Sequence, residues 1–340
     1  MNQWKWTIGV VVIFVLGAFI VPSLLVTGFS ADEEVTNAYL TEAEEKETAS
    51  LLSWIEDTPN VSVSVYRAAE ETVEDIPLEE YVVGVVASEM PAEFEKEALK
   101  AQALAARTYI VRQLSVDDPS VPNDAAVTDT VQHQVYKDRK QLKIQWKENY
   151  QTNLTKVVEA VKETNGQILT YNGELITASF FSTSNGKTEN AEAYWENPFP
   201  YLVSVDSPWD KESPKFEQRV VLPIEEFENK LGVRLKDPSK IGIITKRTPG
   251  ERVAEVKIED NIFTGREIRE KLELASSDFD WVRKGNDVVI TTKGYGHGVG
   301  MSQYGANGMA KSGKKVEEII QYYYKGVEVT SAESFLKKAI

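Results

Sequence analysis

The chain has 340 residues, 42% hydrophobic and 27% charged, with 53 Asp and Glu against 38 Lys and Arg, a formal net charge of -15 and no Cys. That length and composition can bury one large core or two smaller ones, which excludes wholesale disorder. An acidic surface without a basic stripe excludes indiscriminate nucleic-acid binding, and the lack of Cys excludes disulfides, thiolate catalysis and thiolate metal sites.

In chain order, the first feature is a stretch from Trp6 to Ala31 without a single charge. It is long enough to cross a bilayer, which takes about 20 apolar residues. Lys5 precedes it and Asp32, Glu33 and Glu34 follow, so the positive-inside bias predicts a cytoplasmic N-terminus with the bulk of the chain outside. The alternative is a cleaved signal peptide, for which Thr27 to Ala31 offers small residues. Residues 32 to 57 then carry nine acidic side chains against Lys46 and read as a solvated stalk.

Val61 to Tyr66 alternates with period two and predicts a half-buried strand. A helix is predicted from Pro77 or Leu78 to about Met90, where Pro91 disfavours helical geometry. A second runs from about Glu95 to Leu114, dense in Ala, which allows close approach by neighbours. Leu154, Val157, Val158 and Val161 recur at helical spacing before Asn165-Gly166, a helix stop. Asn172-Gly173 is a hairpin signal between Gln167 to Tyr171 and Glu174 to Phe181. Phe263 to Arg266 reads as a short strand-to-helix unit. Val316, Ile319, Ile320 and Tyr323 mark one face of another helix in the tail, stopped at Lys325-Gly326. Helices and hairpins interleave without a βαβ rhythm, so the expected class is α+β: mixed helices and antiparallel hairpins around a substrate cleft, after an N-terminal transmembrane helix.

With only His133 and His297 in the chain, metal and triad chemistry is sharply limited. A Ser-His-Asp arrangement could draw on Ser182 or Ser184, His297 and Asp206 or Asp210, but Ser182-Thr183-Ser184-Asn185-Gly186 lacks the nucleophile elbow of such hydrolases. The glycine run Gly294 to Gly300 is either a tight turn around a satisfied His or backbone packed against a ligand. Glu89 is more informative. It ends a helix, where unpaired carbonyls should push its pKa upward, as a general acid requires, although a helix-end Glu is commonly just solvated. Lys96, Lys100 and Arg107 share one face of the next helix, either an exposed polar face or a binding one.

Ala87-Ser88-Glu89-Met90-Pro91, Glu97 to Ala103, Ala105 to Tyr109, Phe181 to Gly186, Pro200-Tyr201-Leu202, Ser207 to Asp210 and Gly296 to Gly305 occur in one order over about residues 60 to 330. This pattern resembles the sporulation protein D and amidase-enhancer family. The resemblance implies a peptidoglycan lytic transglycosylase on the outer face of the mother-cell membrane during engulfment, acting on glycan strands stripped of stem peptides. It implies as partners the sporulation amidase, protein P, and a membrane scaffold, protein M, with no nucleic acid. The family's catalytic glutamate falls on Glu89, and its cleft positions on Lys100, Gln102, Arg107 and Tyr201. Ser182, Ser184 and Asn185, with His297, Gln303 and Tyr304, are further substrate-binding candidates. Some relatives carry a zinc site with cysteines in the stretch matching Thr128 to Tyr136. This chain has only His133 there, so no metal and no cofactor is expected.

The expected organisation is an anchor over 1–31, a stalk over 32–59, a catalytic α+β region over 60–205, an inserted or second subdomain over 206–290, and a segment over 291–340 that completes the cleft. Cations on one helical face are seldom core, so Lys100→Ala and Arg107→Ala are expected to weaken glycan binding with little loss of fold. A non-catalytic peptidoglycan-binding activator of a cell-wall amidase is the alternative function.

Overall fold

Period-two apolar residues and one proline set the beginning of the fold. The computed structural model describes residues 46–116, 118–195, 197–237 and 240–339, so the anchor over 1–31 and most of the acidic stalk lie outside the described residues. The chain divides into two units, Met1–Ser53 and Trp54–Ile340. In the first, residues 46–52 are helical (α1). Among the described residues no helix is long and apolar enough to cross a membrane.

The second unit opens with a hairpin. β1 (Ser62–Arg67) buries Val63 and Val65 and pairs antiparallel with β2 (Thr72–Pro77), while β3 (Val127–Thr128) joins β1 in parallel. α2 (Leu78–Glu89) follows directly and is apolar nearly all round, as a helix enclosed on most sides must be. Met90 is extended (φ −123°, ψ 137°) ahead of Pro91, which is the steric stop read from the sequence. α3 (Lys96–Gln113) buries Ala98, Ala101, Ala103, Ala105 and Ala106. These methyl-only side chains let α2 and α5 (Tyr150–Glu163) pack closely on α3, α5 burying Leu154, Val157, Val158 and Val161, while α4 (Arg139–Trp146) packs on α2 and α5.

β4 (Gln167–Tyr171) turns through Asn172 and Gly173, both at positive φ, into β5 (Glu174–Leu175). The second strand is shorter than expected. It stops at Leu175, and Phe180–Phe181 (β6) pairs instead in parallel with β13 (Met301–Ser302), a partner far away in the chain. α6 (Glu192–Trp195) follows β6; β14 (Glu328–Ser331) takes the other edge of β4, and the predicted tail helix is α10 (Val316–Tyr323), ahead of a further helix, α11 (Glu333–Ala339).

Residues 217–293 build a core of their own. One sheet has the order β11 (Phe279–Lys284), β12 (Asp287–Lys293), β7 (Glu217–Pro223); a second has β10 (Asn261–Thr264), β9 (Val253–Ile258), β8 (Ile243–Arg247). Phe227 of α7 (Ile224–Leu231), Ile268 of α8 (Gly265–Lys271), Val256, Phe279 and Ile290 are its centre. β10 runs into α8 through a capping box of Thr264 and Glu267, the strand-to-helix unit foreseen at Phe263 to Arg266. Among the described strands only β1–β3 and β6–β13 pair in parallel, and no βαβ rhythm occurs: the class is α+β.

Candidate active site

The C-terminal end of α2 opens into a cleft of about 430 Å³ lined by Glu89, Pro91, Val131, Phe180 to Ser182, Lys215, Arg269, Tyr295 to His297, Gln303 and Tyr304. That volume is in the range of small-ligand sites, about 300–1,000 Å³. Glu89 is the only acidic residue in this lining. Its Oε1 accepts a hydrogen bond from the Val135 amide at 2.9 Å, and the carboxyl has no second donor among the described residues. The helix end was expected to raise its pKa. The main cause found is burial, which pushes the carboxyl up while the Val135 N–H partly opposes it. The Glu89 carbonyl accepts from Gln303 Nε2 at 2.9 Å, which ties the last turn of α2 to the start of α9 (Gln303–Lys311).

The opposite wall is the glycine run. Gly294, Gly296, Gly298 and Gly300 all have positive φ, between 80° and 115°. At Gly298 a Cβ would strike the Arg252 guanidinium, and at Gly300 the Ser179 carbonyl, so only glycine lets this backbone lie flat against its support. Tyr295 exchanges backbone hydrogen bonds with Thr183, and Glu189 N–H donates to Gly298 O at 2.8 Å. His297 sits among Phe181, Tyr194 and Trp195, with ring centroids 5.5–5.7 Å away. Its Nδ1 accepts from Val299 N–H at 3.1 Å, which leaves the ring proton on Nε2, near Ser179 Oγ at 3.5 Å. Burial, reinforced by the Arg269 and Arg252 charges, lowers His297 to about 3, so the ring is neutral.

Of the residues singled out from sequence, Glu89, Ser182, His297, Gln303 and Tyr304 meet in this cleft. Gln102 stands one step behind, its Oε1 accepting from Gln303 Nε2 at 3.3 Å. Ser184 is buried and donates through N and Oγ to Asp210 at 2.9 and 2.8 Å. Asp210 also accepts from Ser207 and Ser302, while His297 bonds elsewhere, so the Ser-His-Asp arrangement is not assembled. Asn185 Nδ2 donates to Gly250 O and to Asp278 at 2.9 Å each, which fastens the cleft loop to the second core. Tyr201 is buried and accepts at its hydroxyl from Thr177 N–H at 2.9 Å.

The two cations expected in the cleft are not in its lining. Arg107 has no exposed side-chain surface and forms a two-pronged ion pair with Glu79, at 2.8 and 2.7 Å. The resemblance implies a cleft position for Arg107, but the face it shares with Lys100 meets α2 and α5 instead. Lys100 is spent on Glu97 and Glu163 at 3.2 and 3.3 Å. The cations that do line the cleft are Lys215 and Arg269, and no local pattern marks either. In the stretch 128–136, His133 Nδ1 lies 3.0 Å from Thr128 Oγ1, and among the described residues no cluster of acidic residues and histidines is placed to hold a metal.

Comparison with known proteins gives this arrangement its context. The family model described as "Stage II sporulation protein" matches residues 66–171, the stretch that holds Glu89 and α3. Stage II sporulation protein D of Bacillus subtilis (strain 168) is 51% identical over 343 residues, covering 99% of this chain and 98% of its own. The chain belongs to the stage II sporulation protein D family. Another member, from Bacillus amyloliquefaciens, is 52% identical over 324 residues, 94% of each chain. The amidase enhancer of Bacillus subtilis is 29% identical over 306 residues, 73% of this chain and 40% of that longer one. As a stage II sporulation protein D family member, the chain carries the family-model match over the helix that ends in Glu89, whereas Lys215, Arg269 and the glycine run lie beyond it.

Proposed function

We propose that this family member is a peptidoglycan lytic transglycosylase that cleaves the bond between N-acetylmuramic acid and N-acetylglucosamine in peptide-stripped strands, with Glu89 as its acid and base. The observation that carries this reading is one carboxyl, pushed towards its neutral form by burial, in a cleft that has no second carboxylate in its lining. Such chemistry needs only one. Glu89 gives its proton to the glycosidic oxygen as the bond from C1 of muramic acid breaks. The resulting carboxylate then takes the proton of the C6 hydroxyl as that oxygen bonds to C1, so the 1,6-anhydro ring closes without water. Ordinary hydrolysing glycosidases use a second carboxylate, as base or as nucleophile. The neutral His297 supplies no charge to compete with Glu89, and the Tyr295 and Tyr304 rings in the lining offer faces for pyranose rings.

The same reading has the chain on the outer face of the mother-cell membrane, held by segment 1–31 and working with the amidase and scaffold of the engulfment machinery. The likeness to an amidase enhancer favours a second reading, a non-catalytic binder that activates an amidase.

Full-length protein incubated with peptide-stripped glycan separates the two. The transglycosylase gives 1,6-anhydro ends, with fragments one water lighter than hydrolysis products. Glu89→Gln should fold, bind glycan and give no anhydro product. Glu89→Asp should also be severely impaired, because withdrawing the carboxyl by roughly one bond length, about 1.5 Å, breaks hydrogen-bond reach. Wild-type turnover in Glu89→Gln, reducing ends, or no new ends at all from the parent would overturn the assignment.

A further inference from the structure

Net acidity hides one local reversal of charge. Residues 137 to 147 carry Lys137, Arg139, Lys140, Lys143 and Lys147 against a single acid, Asp138, in a chain of formal net charge -15. That acid is spent within the fold: it caps α4 by accepting from the Gln141 amide at 2.9 Å and pairs with the buried Arg67 at 3.1 Å. Arg139 is engaged in turn, with Glu80 at 3.1 Å. Lys140 and Lys147 are exposed, and among the described residues neither has a carboxylate within 4.0 Å. Lys140, Ile144 and Lys147 recur at spacings of four and three, so they lie along one side of α4. Ile144, between the two cations, is 75% exposed. Leu142 is the only residue of α4 that is buried, and Trp146 in its last turn is half-buried. The expectation of a surface without a basic stripe is therefore corrected at α4, where folding gathers a stripe too short for charge totals to reveal.

We propose that the side of α4 formed by Lys140, Ile144 and Lys147 is a docking surface for anionic phospholipid. An acidic protein or a soluble polyanion would answer the lysines and leave the isoleucine in water. A bilayer surface answers both. The ammonium groups meet headgroup phosphates while the lysine stems and Ile144 enter the boundary with the acyl chains, a level at which Trp146 is also favoured. The anchor proposed over 1–31 keeps a bilayer within reach. The inference goes beyond the transglycosylase reading and stands without it: a chain whose net charge is repelled by an anionic membrane would face that membrane with the one side that is attracted.

The chain has no Cys, so one introduced Cys can be labelled uniquely. Full-length protein with Ile144→Cys, an apolar fluorophore taking the place of the isoleucine, is reconstituted in two kinds of nanodisc. One is phosphatidylcholine and the other phosphatidylcholine with phosphatidylglycerol, each doped with a headgroup-nitroxide lipid. Segment 1–31 is present in both, so only lipid charge differs. Quenching should be strong in the anionic discs, weak in the neutral ones and relieved by salt. Each lysine near an anionic surface adds roughly fivefold to binding, so Lys140→Gln and Lys147→Gln together should cut the docked-to-undocked ratio about twentyfold. The same label on Ile243→Cys, at a residue 69% exposed on β8, should stay unquenched in both. Equal quenching of the Ile144 label in the two discs, no loss in the double-lysine variant, or equal quenching at position 243 overturns the proposal. So does a label that stays unquenched in anionic discs but responds to soluble polyphosphate, which would assign the surface to a polyanion.

Discussion

In the proposed reaction one carboxyl first gives a proton and then takes one back, and the burial that raises the Glu89 pKa governs both steps. As general acid it must start protonated, so log kcat/KM should fall with unit slope as pH rises through that raised value. Because His297 is neutral down to about 3, it adds no limb near neutrality, and a pH profile with a second ionisation there would contradict the single-acid scheme. The same shift has a stability counterpart. A carboxyl whose folded pKa is raised contributes stability below its unfolded value of about 4.3 and loses it as pH rises through the folded value. Glu89→Gln should therefore melt higher than the parent at pH 7 to 8, with the difference vanishing near pH 4. Thermal melts across that range check the sign, and a lower melting temperature for the variant at pH 8 would refute burial as the cause.

At the next scale, Arg107 joins four elements. Beyond Glu79 on α2 it donates to Val161 O, Thr164 Oγ1 and Gln167 O, at the end of α5 and the start of β4. Removing one partner of a fully buried ion pair typically costs about 3–5 kcal/mol. Arg107→Ala should lose that much in denaturant melts, with unchanged glycan affinity in the protein that remains folded. Lys100→Ala, whose pair is nearer the surface, should cost about 1 kcal/mol or less. This pair of outcomes replaces the expectation of weakened binding in an intact fold, and it shows what sequence can say about an element. The ends of α2 and α5 and the turn at Asn172-Gly173 are legible because each is decided within a few residues by Pro91, Gly166 or Gly173. Spacing on a helix tells that Lys100 and Arg107 share a face. It does not tell what that face meets, which depends on α5 and β4 some 60 residues later. Lys215 and Arg269 stay hidden for the same reason, since their common cleft exists only after residues 217–293 have packed.

Across the whole molecule, the second core sets the charged side of the cleft. It carries Arg269 on α8 and places the buried Arg252 beneath Gly298, while Asn185 ties the cleft loop to it through Gly250 and Asp278. Phe227→Ala should cost about 3–5 kcal/mol as a large-to-small change in that core. Hydrogen exchange should then quicken over residues 217–293 and glycan affinity should drop while α2 stays protected; uniform loss of protection would show that the two cores are one cooperative body. The anchor expected over 1–31 predicts that protease added to intact sporulating cells removes the C-terminal region, and a spared C-terminal region would refute the outward orientation. Glu89 shares a hydrogen bond with Gln303 across 214 positions, and the strand beside the cleft pairs Phe180–Phe181 with Met301–Ser302. A growing chain therefore carries Glu89 long before it has the cleft around it. Until Met301 to Tyr304 have left the ribosome, Glu89 ends a helix without a cleft, so the order of synthesis itself postpones whatever chemistry that cleft performs.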